Sequence, residues 1–264
     1  MATPDLNLTL VQTELFWHDP AANRLMLDNK LRALAGVTDL VVLPEMFTTG
    51  FTMEPERAAE VARGPSIDWM RDTARTLNAV VTGSISTHDG GRFYNRLTWM
   101  RPDGTSATYD KRHLFRMAEE HRHYTAGARR LVVELRGWRV CPMICYDLRF
   151  PVWSRNRGDY DVLIYVANWP SRGRHAWHTL LKARAVENLC YCVGVNRLGA
   201  DGSGVEHTGD TMAFDFLGRP MFADSEKPFV QPVSLKRASL DDYRLRFPAH
   251  LDADQFDICI ESKM

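Results

Sequence analysis

Three polar residues of this 264-residue chain stand at the ends of apolar runs: Glu45 in VLPEMF, Lys111 in YDKRHLF and Cys145 in MICYDLRFP. Strand ends open onto the ligand crevice in α/β folds, so residues placed there can reach a site. Each alone has a bland explanation. A Glu or Lys after a strand is usually a solvated loop residue, and a buried cysteine is usually a small hydrophobe. Together the three form a chemically complete set. A free thiol has a pKa of about 8.5 and is mostly protonated at neutral pH. A neighbouring Glu can take its proton, and a neighbouring Lys stabilises the negative charge that results. After attack on a carbonyl, the same Lys can neutralise the oxyanion, and the protonated Glu can serve a departing amine and then activate water. These are the parts of an amide hydrolase working through a thioester.

Apolar runs alternating with amphipathic segments must position such a set, which is the pattern of an α/β domain. LNLTLVQ (6–12) alternates at period two, and DLVVLPE (39–45) reads as a buried strand cut off by Pro44. Leu27, Leu31 and Leu34 predict one helical face ending at Gly36; Ile67, Met70, Ala74 and Leu77 predict another. AVVTGSIS (79–86) reads as a strand, 94–111 as two strands around Pro-Asp-Gly, and 130–147 as a second hairpin around Arg136-Gly137. A helix is expected near Pro151, a strand over 161–170, a helix over 177–190 and further strands in YCVGVNR and TMAFDFLG. At least eight strands exceed one short sheet. Two packed sheets with helices outside, in a single domain, would bury them. No short-period repeat or low-complexity linker interrupts the chain.

Bulk properties narrow the partner. Lys plus Arg equal Asp plus Glu at 33 each, so the formal net charge is zero, and the basic residues are scattered. No electrostatic footprint for nucleic acid results. No apolar run approaches the roughly 20 residues that span a bilayer. The N-terminal stretch lacks a cationic start followed by an apolar core, and five cysteines fit reduced thiols. A cytoplasmic protein acting on a small molecule, without membrane or nucleic-acid partner, is the expectation. His121 and His123 in EEHRH are spaced i and i+2 rather than the i and i+4 of helical zinc sites, so neither metal nor cofactor is expected.

The segments VLPEMF, YDKRHLF and MICYDLRFP resemble the signatures of the nitrilase superfamily of carbon–nitrogen hydrolases, with similarity running from about Leu6 to about Phe222. The resemblance implies a Glu45–Lys111–Cys145 triad and a four-layer α-β-β-α sandwich covering 1–264, with roughly 225–264 as a C-terminal tail extension. It also implies a second glutamate that orients the lysine. Counting back from the Thr-Ala-Gly turn puts this at Glu120, with Glu119 as the fallback; either could instead cap a surface turn. Tyr146 would lend its backbone N–H to the oxyanion. Family members often form dimers, which points to a homodimer through 148–160.

The substrate is read from Arg149, four residues past the thiol. It could form a salt bridge with a nearby Asp, or clamp a substrate carboxylate with its paired donors. Phe47 and Trp169 are candidate pocket walls. CYDLRFPVWSRN, YVANWP, LLKARAVENLCYCVGVNR and the C-terminal YRLRFPAHLDADQF are similar to the omega-amidase branch, including its bacterial members. That similarity implies hydrolysis of the terminal amide of 2-oxoglutaramate and 2-oxosuccinamate. Asp147 and Val152 depart from the true nitrilases and the carbamoylputrescine-type enzymes, which favour Glu at those places. The alternatives are an N-carbamoyl acid hydrolase of the same superfamily, or an inactive interaction protein, against which the intact triad counts.

Overall fold

A computed structural model describes residues 3–222 and 226–259. In chain order the strands are β1 (Leu6–Gln12), β2 (Leu40–Val42), β3 (Glu60–Val61), β4 (Val80–Asp89), β5 (Arg92–Met100), β6 (Ser106–Asp110), β7 (Val133–Leu135), β8 (Trp138–Ile144), β9 (Val162–Ala167), β10 (Tyr191–Asn196), β11 (Leu198–Ala200), β12 (Glu206–Thr208), β13 (Met212–Phe214) and β14 (Phe229–Leu235). The helices are α1 (Pro20–Leu31), α2 (Pro55–Ala58), α3 (Pro65–Leu77), α4 (Glu120–His123), α5 (Pro151–Ser154), α6 (Arg174–Asn188) and α7 (Arg237–Arg246).

Among the described residues, one sheet runs β14-β1-β2-β4-β5-β6 with β3 added on β4, and a second runs β13-β10-β9-β8-β7. Period-two alternation explains how each face is used. Leu8, Leu10, Leu40, Val42, Leu97 and Trp99 of the first sheet share a cluster with Val140, Ile164 and Val193 of the second. The intervening positions Val11, Val41 and Val81 face the other way and meet Leu27 and Leu31 of α1 and Met70, Ala74 and Leu77 of α3. On the second sheet, Trp177, Leu181 and Ala185 of α6 close the opposite side. The result is the four-layer α-β-β-α order.

The turns follow local chemistry. Between β5 and β6, Arg101 and Thr105 close a loop in which Gly104 takes φ +83° and Asp103 Oδ1 caps the Thr105 amide. Between β7 and β8, Arg136 and Gly137 both have positive φ, the geometry that matches strand twist in a two-residue hairpin. Helix α1 begins at Pro20, a turn and more ahead of Leu27, because the Asp19 carboxylate accepts from the Ala22 amide. The stretch expected as a C-terminal tail supplies β14, which pairs with β1 from Leu6–Leu235 to Gln12–Phe229, and then α7. Pro232 hid this strand in the sequence; an edge position tolerates it.

Direction is what builds the site. β1, β2 and β4 are mutually parallel, and β5 and β6 reverse in turn, so β6 emerges at the same end as β2. β8, β9 and β10 are likewise parallel. Strand ends of the two sheets meet where the Asn168 amide, after β9, donates to Glu45, after β2.

Phe47, expected as a pocket wall, is instead fully buried on the helix side of the first sheet. It packs with Leu43 and Val81 and faces Trp69 at 5.7 Å between ring centroids. A Cβ on Gly83 would meet the Phe47 ring at 2.9 Å, so the glycine makes room for it. Phe47→Ala is expected to cost about 3–5 kcal/mol of unfolding free energy in a urea titration. A loss below about 1 kcal/mol would show that the ring is not a core element.

Candidate active site

Cys145 follows β8 directly, at the first position of a short 3-10 turn that runs to Arg149. Its φ of +43° is unusual for a residue with a side chain and marks a sharp change of chain direction. Asp147 braces that turn. Its Oδ2 accepts from the Ile144 amide at 3.1 Å and from Tyr109 Oη at 2.7 Å. Its Oδ1 accepts from the His113 amide at 2.9 Å and lies 2.8 Å from His113 Nδ1. Tyr109 and His113 flank Lys111, so one buried carboxylate ties the thiol turn to the lysine turn. Gly127 holds the other side of the lysine segment. Its amide donates to Lys111 O at 2.9 Å, and a Cβ there would strike Asp110 O at 2.1 Å.

Lys111 Nζ lies 2.9 Å from Glu45 Oε1 and 2.9 Å from Glu120 Oε2, with all three side chains buried. Asn95 Nδ2 donates to both carboxylates, at 2.8 Å to Glu45 and 3.2 Å to Glu120. Glu45 Oε2 accepts from the Asn168 amide at 2.8 Å, and Glu120 Oε2 from the Phe115 amide at 2.6 Å. Burial by itself would lower the Lys111 ammonium; Glu120 and Glu45, with Cys145, outweigh it and hold the group charged. Burial raises Glu120 above the usual carboxylate range against the pull of Lys111. The Cys145 thiol is pushed well up, first by burial and then by the Glu45 carboxylate, while Lys111 opposes the shift. Cys145 therefore rests as a thiol.

Above this floor opens a cavity of about 440 Å³, lined among others by Phe51, Phe115, Tyr146, Arg149, Trp169 and His207. Lys111, Cys145 and Asn168 also line it. The Phe51 ring lies 5.0 Å from Lys111 Nζ, a cation–π contact in a desolvated place.

The carbon–nitrogen hydrolase family matches residues 7–244. The chain belongs to that family. Omega-amidase YafV of Escherichia coli K12 is 46% identical over 254 residues, covering 96% of this chain and 98% of the relative. 2-Oxoglutaramate amidase of Bacillus subtilis is 30% identical over 218 residues, covering 80% and 83%. The crystal structure of XC1258 from Xanthomonas campestris, a superfamily protein with an arsenic adduct in its active site, is similar with a TM-score of 0.95. It is 47% identical and covers 97% of this chain and 100% of that one.

Within this family fold the geometry separates the two glutamates. Glu120 is buried on Lys111, whereas Glu119 has positive φ, is 54% exposed and pairs with Arg122 Nη1 at 2.8 Å. Arg149 is exposed at the cavity and lies over the Trp169 ring, with its guanidinium carbon 4.9 Å from the centroid. Asn95, Asn168, Phe51, Phe115 and His207 were not singled out from sequence. Asn95 sits mid-strand in β5, where nothing marks it off from a solvated residue; Asn168, two residues before Pro170, carried a signal as the polar end of an apolar run. Cys141, Cys190 and Cys192 are buried in the core and Cys259 is exposed. His121 and His123 lie on α4, and among the described residues no group of three His, Cys, Asp or Glu could hold a metal.

The buried thiols carry a pH consequence. Cys141 is pushed up to about 12 by burial, and Cys145 and Cys190 are raised for the same leading reason. The unfolded chain loses these protons near its ordinary thiol pKa while the folded chain keeps them. Folding stability is therefore full below about pH 8.5 and falls as pH rises toward 12. Urea titrations under reducing conditions at pH 8 and pH 10 are expected to show this decline. A Cys141→Ala variant should show a shallower one.

Proposed function

We propose that the chain hydrolyses the terminal amide of 2-oxo dicarboxylic acid monoamides, 2-oxoglutaramate and 2-oxosuccinamate, to the acid and ammonia. The observation that carries this reading is the pairing of Lys111 with Glu45 and Glu120 beneath a cavity that Lys111, Cys145 and Arg149 line together. Kinship with proteins named omega-amidase and 2-oxoglutaramate amidase supports it.

In the proposed reaction, Cys145 Sγ attacks the amide carbon as its proton passes to Glu45. The oxyanion is held by the Lys111 ammonium and the Tyr146 backbone N–H. One lost oxyanion donor typically costs about 2.7–4 kcal/mol of activation free energy. Glu45 then protonates the departing nitrogen, ammonia leaves and a thioester remains. Water, deprotonated by Glu45, attacks the thioester; the tetrahedral adduct expels the sulfur, which takes the proton back from Glu45, and the acid departs. Glu120 keeps Lys111 protonated and in place throughout, and Asn95 holds the two carboxylates on either side of it.

Ammonia release from 2-oxoglutaramate is expected from the wild type and not from Cys145→Ala, with chelators having no effect on the wild type. Carbon dioxide and ammonia from an N-carbamoyl acid, with none from 2-oxoglutaramate, would favour the carbamoyl reading. Activity surviving Cys145→Ala would remove the thioester route.

A homodimer and a cytoplasmic location belong to the same proposal. The family resemblance is the ground for a contact through 148–160, where Val152 on α5 is 57% exposed. Sedimentation velocity is expected to give a dimer in the wild type and a weakened one in Val152→Glu. A monomer in the wild type would exclude it. Among the described residues no helix is long and apolar enough to cross a membrane.

A further inference from the structure

We propose that Arg172 joins Arg149 in a cradle of two guanidinium groups for the acidic end of the substrate. This rests on the reading of the site as an acid-amide hydrolase and adds the residue that completes its far end.

The Trp169 indole fixes both arginines. Its ring lies under the Arg149 guanidinium, and its Nε1 donates to Gly173 O at 2.9 Å. A Cβ on Gly173 would meet Trp169 Nε1 at 2.5 Å, so the Ser171–Gly173 turn that carries Arg172 sits against the indole. Both arginines line the same cavity as Cys145 and Lys111. Among the described residues, Arg172 Nη2 has a weak acceptor, Met117 Sδ, at 3.4 Å. Among the described residues, neither guanidinium has a carboxylate within ion-pair distance. The acidic residue of the lining, Asp201, turns Oδ1 to the amides of Ser203 and Val205 in its own loop.

Two like charges beside one opening repel each other, and an anion between them relieves the repulsion. The planar fork of each guanidinium matches a pair of oxygens. A 2-oxo acid end presents a carboxylate and an adjoining carbonyl oxygen, more acceptors than one fork can serve. The cradle thus selects amides whose far end is a carboxylate with a neighbouring oxygen. Lys111 plays no part in it, being engaged by Glu45 and Glu120 on the floor.

The test uses two alkylating probes of Cys145 that differ in charge, iodoacetate and iodoacetamide. With either, a C–S bond forms, iodide leaves and the thiol proton passes to Glu45. Labelling is followed by mass spectrometry of the Cys145 peptide, because Cys259 is also exposed. Relative to wild type, the iodoacetate-to-iodoacetamide rate ratio is expected to fall about 10-fold in Arg172→Met, with part regained in Arg172→Lys. An unchanged ratio in Arg172→Met overturns the proposal. With 2-oxoglutaramate, Arg172→Met is expected to raise KM roughly 10-fold or more while kcat stays within about 3-fold. Arg149→Met should behave alike, and KM for an uncharged primary amide should not move in either. An equal rise in KM for the uncharged amide also overturns it. Should wild type fail to turn over 2-oxoglutaramate yet keep the charge-dependent labelling, the substrate reading falls and the cradle stands.

Discussion

A buried ammonium between two buried carboxylates is the constraint on which the site depends. Taking Lys111, Glu45 and Glu120 out of water carries a penalty of several kcal/mol per ion, which their attraction offsets only with good geometry and every remaining polar atom served. Asn95, the Phe115 amide and the Asn168 amide supply that service. They come from β5, from the loop before α4 and from the end of β9, so the charge cluster can exist only when both sheets have docked. Stability and chemistry here share one set of contacts.

The same docking holds Cys145 in a backbone conformation it would not adopt alone. Left-handed φ at a non-glycine residue costs on the order of 1–3 kcal/mol and persists where surroundings over-determine it. Asp147 is that surrounding for Cys145, bonded to the residue before the thiol and to both neighbours of the lysine turn. The cavity is polarised along its depth. Its floor carries charges already paired, and its mouth carries guanidinium groups that are not.

Much of this was legible in the sequence. Glu45, Lys111 and Cys145 were conspicuous as polar residues closing apolar runs, and the β5–β6 and β7–β8 hairpins were marked by their turn residues. The number of strand candidates was enough to point to two packed sheets. Other features were hidden for physical reasons. Phe47 lies two residues beyond Glu45, but Met46 adopts φ +42° and breaks the alternation, so the ring turns to the helix layer. Glu119 and Glu120 are adjacent and chemically alike; the positive φ of Glu119 sends one to solvent and the other to Lys111. Arg172 looked like any arginine in a polar turn, and Asn95 like any polar residue of a half-buried strand.

By itself, then, the sequence determined residue chemistry, strand periodicity and the order of segments along the chain. Those are properties of neighbours in sequence, set by side-chain type and backbone preference. Which residues share a cavity, which of two glutamates meets the lysine, and whether an arginine keeps a free charge depend on contacts between segments far apart in sequence. Glu45 and Lys111 are separated by 66 positions, and Glu45 and Asn168 by 123. Only the parallel strand directions and the docking of the two sheets bring them within hydrogen-bond distance, because burial and electrostatic pairing are decided by space rather than by order in the chain.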